Sequence, residues 1–160
     1  MDLDAVERFA REHGIKKHVL KRVYKQLFRR GKSDFTSTPD VGVNDMRLLS
    51  GSFAVTTSEV VEHKVTSDGT GAKFVVRLHD GALVETVVIG HRHASTGVER
   101  NTVCVSTQVG CRMGCTFCET GTMGLLANLT AGEIAEQVWH ARDLVGAAGV
   151  RNVVFMVRFY

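Results

Sequence analysis

Apolar residues recur at two different periods along the chain, and the change of period divides it. Leu20, Val23, Leu27 and Phe28 follow helical spacing, with Val19 and Tyr24 flanking the stripe. The pattern predicts helix over residues 3–31, with Gly14 separating two helices and Gly31 as the stop. Residues 33–52 predict a loop, which holds the only proline, Pro39, and then a short helix. From residue 59 the pattern is β-like. EVVEHKV at 59–65, KFVVRLH at 73–79 and ALVETVVI at 82–89 are rich in valine and separated by Ser67-Asp68-Gly69 and Asp80-Gly81. Asp-Gly between such runs signals a hairpin, because glycine supplies the positive φ of a tight turn. An antiparallel meander is therefore predicted over 59–89.

HRHASTGVER, 91–100, is polar and reads as a connector, and NTVCVSTQ, 101–108, as a short strand. NLTAGEIAEQVWHARDLVGAAG then reads as a helix. Thr130 and Glu133 form a capping-box signature at its start. Ile134, Val138 and Ala141 share a face, with Leu144 and Val145 further on, and Gly146 and Gly149 end it. VRNVVFMV, 150–157, predicts a buried strand. Strand, loop, helix, strand is a βαβ unit, the repeat of parallel α/β sheets and barrels. The fold class is α/β.

Composition refines this little. The chain has 160 residues, 44% hydrophobic and 23% charged, which are globular values. The net charge of +3 permits an anionic partner without requiring one. Its placement says more: Lys16, Lys17, Lys21, Arg22, Lys25, Arg29, Arg30 and Lys32 crowd the first helical region. The plainer reading is a solvated helix face, and the sharper one a surface for nucleic-acid phosphates. No apolar run is long enough to cross a bilayer, and the acidic N-terminus resembles neither a signal nor a transit peptide. A reducing intracellular compartment is expected, where clustered cysteines bind metal or do redox chemistry more often than they form disulfides.

All four cysteines, Cys104, Cys111, Cys115 and Cys118, lie in CVSTQVGCRMGCTFCETG. The last three have the spacing C-x₃-C-x₂-C, which lets three soft thiolates surround one inorganic centre. Zinc in a closed structural site wants a fourth ligand, for which Cys104, His91 or His93 are candidates. Three ligands on a four-iron cluster leave one iron open for chemistry. The spacing and the position after a strand's C-terminal end favour a cluster over zinc. Arg112, Thr116 and Glu119 make the stretch too polar for an inert core.

C-x₃-C-x₂-C is the signature of radical S-adenosylmethionine (SAM) enzymes. The longer string CVSTQVGCRMGCTFCETGTMGLLANLTAGEIAEQV resembles the RlmN/Cfr family of radical SAM RNA adenine methyltransferases. The resemblance extends upstream through TSDGTGAKFVVRLHDGALVETVVI and, more weakly, into the basic N-terminus. It implies that Cys111, Cys115 and Cys118 ligate a [4Fe–4S] cluster whose open iron binds SAM, fed by a one-electron donor. It implies that Cys104 pairs transiently with a methyl-carrying cysteine far downstream, and that Glu85 accepts a proton. Read locally, Glu85 is a solvent-facing residue on a one-sided sheet, or a carboxylate that is costly to bury without a task. The implied reaction methylates carbon 2 of adenosine in ribosomal RNA and, for some members, transfer RNA, in the cytoplasm or an organelle.

The resemblance also sets the expected architecture. Residues 1–52 would be a helical, RNA-contacting accessory domain, 53–100 an antiparallel β section and connector, and 101–160 the first βαβ of a radical-SAM partial barrel. The connector is longer than the family's. After NVVFM the family has a Gly-Met-Gly-Glu-Pro stretch, whereas here Val157, Arg158, Phe159 and Tyr160 follow, and no cysteine comes after Cys118. The chain is therefore expected to hold only the beginning of the catalytic barrel. The competing expectations are a non-catalytic RNA-binding module holding zinc or a structural cluster, and an inactive truncated product.

Overall fold

The computed structural model describes residues 3–29, 35, 38–92, 99–145 and 149–156. The chain forms two compact units, one to Thr57 and one from Ser58.

The first unit is helical. Helix α1 spans Leu3–Glu12 and α2 spans Lys17–Tyr24, continuing as a π-helical turn over Lys25–Arg29. Gly14, at φ +69°, makes the predicted break. Val19, Leu20, Val23 and Leu27 are buried with Val6 and Ala10 of α1, so the helical stripe forms this unit's core. Helix α3, Val43–Ser52, adds Leu49 to it. Burial, then Glu7 and Asp4, pushes the Tyr24 hydroxyl up to about 12. Lys16, Lys17, Lys21, Arg22 and Lys25 are exposed, and Arg22 donates from Nη1 to the Asp40 carbonyl at 2.6 Å. The Arg29 side chain, Arg30, Gly31 and Lys32 lie outside the described residues.

The second unit is built on a five-stranded sheet. Strands β1 (Glu59–Val65), β2 (Gly71–Arg77) and β3 (Leu83–Arg92) are the antiparallel meander. Asp68 shapes the first hairpin turn, accepting from Thr66 Oγ1 at 2.6 Å and from the Thr70 N–H at 3.0 Å. These bonds pull its carboxyl down to about 2. The polar connector is partly strand. β3 runs on through His91 and Arg92, pairing with β4 (Glu99–Val105), because backbone pairing needs no apolar side chains. Residues 93–98, His93 among them, lie outside the described residues.

Helix α5 (Ala131–Val145) connects β4 to the parallel strand β7 (Val150–Phe155), completing the predicted βαβ and a sheet of order β1-β2-β3-β4-β7. Its capping box is formed: Thr130 N–H and Oγ1 both donate to Glu133 Oε2 at 2.8 Å. Glu133 N–H returns a bond to Thr130 Oγ1 at 3.3 Å. One sheet face buries Phe74, Val76, Val84, Val88, Val103 and Val105 against Ala141, Ile134 and Val138 of α5. The second strand of the βαβ is not buried as its composition predicts. Val153, Val154 and Phe155 are 41%, 47% and 55% exposed, because β7 is an edge strand among the described residues.

Candidate active site

Between β4 and α5 the chain leaves the sheet in a long excursion with structure of its own. Strands β5 (Gln108–Gly110) and β6 (Leu125–Asn128) pair at its neck, and a single helical turn, α4 (Glu119–Thr122), lies beyond them. The hydrophobic pattern gave no sign of this ribbon, whose strands have only 3 and 4 residues. The neck is closed by two backbone bonds, Leu129 N–H to Thr107 O and Cys111 N–H to Gly124 O, each 2.9 Å. Gly110, at φ +71°, sits at a register shift where a side chain would overlap the Gly124 carbonyl. Only glycine fits there.

Cys111, Cys115 and Cys118 are carried on this excursion, each a free thiol and partly exposed. Cys118 N–H donates to Cys115 O at 3.1 Å, forming a tight turn, and Cys118 is the residue before α4. Cys111 Sγ accepts from the Met113 N–H at 3.4 Å. Gly121 is buried beneath this turn, where a Cβ would come within 2.8 Å of Cys115 O. The donor set is three soft thiols on one folded segment, which fits an iron–sulfur or zinc centre. No group of three His, Cys, Asp or Glu side chains among the described residues is close enough together to hold a metal ion, so the thiols are adjacent along the loop but not gathered. Thr107 Oγ1 and Gln108 Oε1, at the neck, are buried without a hydrogen-bond partner among the described residues. A bound group or water there would relieve unsatisfied polar atoms that each cost about 1–3 kcal/mol.

The two other candidates lie on the sheet. Cys104 is opposite Val87 on β3, so their side chains share a face, and Glu85 shares it because it precedes Val87 by two residues. This is the face away from α5. Glu85 is half exposed and pairs with Lys73 Nζ at 2.5 Å. A burial cost therefore gives no argument for its role, and such an exposed pair contributes about 0–1 kcal/mol. Cys104 is also bounded by Val154 of β7. His91 pairs with Arg100 at the opposite end of β4 from the cysteine loop, which removes it as a fourth ligand.

Sequence reading passed over the side chains that fasten the site. Gln137 and Glu136 of α5 are completely buried, and the hydrophobic pattern marked neither. Glu136 Oε2 accepts from the Ser58 N–H at 2.9 Å and from Ser58 Oγ at 2.5 Å. Ser58 Oγ is also 3.0 Å from His140 Nε2. Burial holds the His140 imidazole below its usual range, opposed by Glu136, Asp143 and the bond to Ser58. Phe117, between two of the cysteines, is 91% exposed, an aromatic ring uncovered in a polar loop.

No family model matches the chain. Curated proteins do. The dual-specificity RNA methyltransferase RlmN of Geobacter sulfurreducens is 36% identical over 156 residues, 98% of this chain and 41% of that protein. A probable RlmN of Akkermansia muciniphila is 39% identical over 92% of the chain and 41% of its own length. Among solved structures, a radical SAM methyltransferase from Sphaerobacter thermophilus superposes with a TM-score of 0.78 at 30% identity, covering 97% of this chain and 46% of that one. The chain spans about two fifths of the length of these curated relatives. Along nearly its whole length it is a homologue of the RlmN family of radical SAM RNA methyltransferases.

Proposed function

We propose that this chain is the cluster-holding and RNA-contacting portion of a radical SAM methyltransferase that modifies carbon 2 of an adenine in ribosomal RNA, with transfer RNA as a second substrate class. The observation that carries the reading is the placement of three partly exposed thiols on the excursion between β4 and α5, in a chain related to RlmN over 98% of its length. Cys111, Cys115 and Cys118 would hold a [4Fe–4S] cluster, which with SAM and a one-electron donor supplies radical chemistry. Glu85 offers a carboxylate to a proton on the open sheet face, and Lys73 pairs with it and orients it. Cys104 offers a thiol on the same face, separate from the ligand loop. The exposed lysines and arginines of α1 and α2 would contact RNA phosphates. Residues 1–52, 53–100 and 101–160 then act as RNA-contacting helices, sheet platform and cluster domain. The cytoplasm, where thiols stay reduced, suits this reading.

The test is cluster assembly in single-cysteine variants, reconstituted anaerobically with iron and sulfide. Cys115→Ala loses its iron, whereas Cys104→Ala binds as much as the unsubstituted chain. Equal loss in both variants, or zinc retained in preference to iron, would replace the open cluster with a closed four-ligand site.

A further inference from the structure

The Gln137 amide is turned mainly to the sheet and to the residue that follows β4. Its Oε1 accepts from Thr86 Oγ1 at 2.9 Å and from the Ser106 N–H at 2.8 Å. Its Nε2 donates to Ser106 O at 2.8 Å and to Glu133 O, one turn back on α5, at 3.4 Å. A side-chain amide that binds both the N–H and the C=O of one residue does what a neighbouring strand does. Gln137 thus extends the ladder by one residue where β4 ends. The residue so held is a junction. Ser106 Oγ donates to the Glu85 carbonyl at 2.7 Å, and the next residue, Thr107, accepts the Leu129 N–H that closes the neck of the cysteine excursion.

We propose that Gln137 is a positioning residue, fixing the neck of the cysteine excursion to the end of β4 by clamping the Ser106 peptide. The proposal rests on the reading of that excursion as the cluster site. A space-filling role is the alternative, and two substitutions separate them. Gln137→Met keeps the bulk and loses every bond. Gln137→Glu keeps the acceptor and loses the donor, setting a carboxylate against the Ser106 and Glu133 carbonyls. Burial and those carbonyls raise the new carboxyl's pKa, and the nearby Glu133 and Glu136 carboxylates, engaged with Thr130, His79 and Ser58, raise it further. In acid it is neutral and donates again.

Amide hydrogen exchange on the full chain without metal reads this directly. Cys111 and Leu129 amides report on the neck, donating to Gly124 O and Thr107 O rather than to Gln137. Gln137→Met is expected to lower their protection about tenfold while the amides of β2 keep theirs. Gln137→Glu is expected to regain protection relative to Gln137→Met as the pH falls, when its neutral acid restores the donor. Unchanged protection at Cys111 and Leu129, an equal loss in β2, or Gln137→Glu behaving like Gln137→Met in acid would overturn the proposal. Iron content measured in parallel keeps the two readings apart. An unsubstituted chain that binds no iron removes the cluster assignment, whereas an iron-loaded chain whose neck ignores Gln137→Met removes the clamp alone.

Discussion

Replacing Gly110 by alanine tests whether the neck of the cysteine excursion is built as described. At φ +71° any residue with a Cβ is disfavoured by about 1–2 kcal/mol. The new methyl would also overlap the Gly124 carbonyl, the acceptor of the Cys111 N–H. Moving that carbonyl away removes a hydrogen bond worth about 0.5–1.5 kcal/mol. Together these give a loss of roughly 1.5–3.5 kcal/mol before any cost of residual overlap. Gly114 is an internal control. Its φ is +60°, but a methyl on its Cα would meet nothing within 4 Å, so Gly114→Ala should lose only the conformational part, about 1–2 kcal/mol. Urea unfolding of both variants, followed by amide exchange at Cys111, measures the difference. Equal losses in the two variants, or an unaffected Cys111 amide in Gly110→Ala, would refute the crowding argument and with it the closed neck.

Other expectations follow from the same geometry. Thr130→Ala removes the capping hydroxyl of α5 and should cost about 1 kcal/mol in denaturant unfolding. A neutral result would mean that the box is not formed in solution. His140 titrates below its ordinary value when folded, so the folded chain binds its proton less readily than the unfolded one. Its contribution is therefore present above the unfolded imidazole pKa of about 6.5 and is lost as the pH falls through the lower folded value. His140→Gln should flatten this acid-side fall in unfolding midpoint, and an unchanged pH profile would contradict the assignment. Lys73→Ala, by contrast, removes an exposed ion pair and should shift stability by less than about 1 kcal/mol, so a large loss would argue against the half-exposed placement of Glu85.

What the sequence made legible is whatever local chemistry decides. Gly14, the Asp80-Gly81 turn and the Thr130–Glu133 box each act through a few adjacent backbone atoms, and each shows in residue type and spacing. The valine-rich runs marked β2 and β3 as strands. The rest depends on partners distant in sequence. Glu136 lies opposite the apolar stripe of α5 and Gln137 is a polar residue within it, and partners distant in sequence, Ser58 for the first and Ser106 and Thr86 for the second, account for their burial. The β5–β6 ribbon is too short to generate a periodic pattern. For β7 the apolar run is a property of the strand, whereas its burial is a property of what lies beside it. The three cysteines were conspicuous from spacing alone, but the clamp that would orient their loop was not, because a single glutamine in a helix carries no signal of what it holds.

The most direct test of the central claim is the EPR spectrum of the reconstituted, reduced chain with and without SAM. Cluster assembly on Cys111, Cys115 and Cys118 with one open iron predicts a [4Fe–4S]⁺ signal that changes when SAM is added. A missing signal, or one indifferent to SAM, would contradict the account: the chain would then carry the loop and the sheet face of its relatives without their cofactor chemistry.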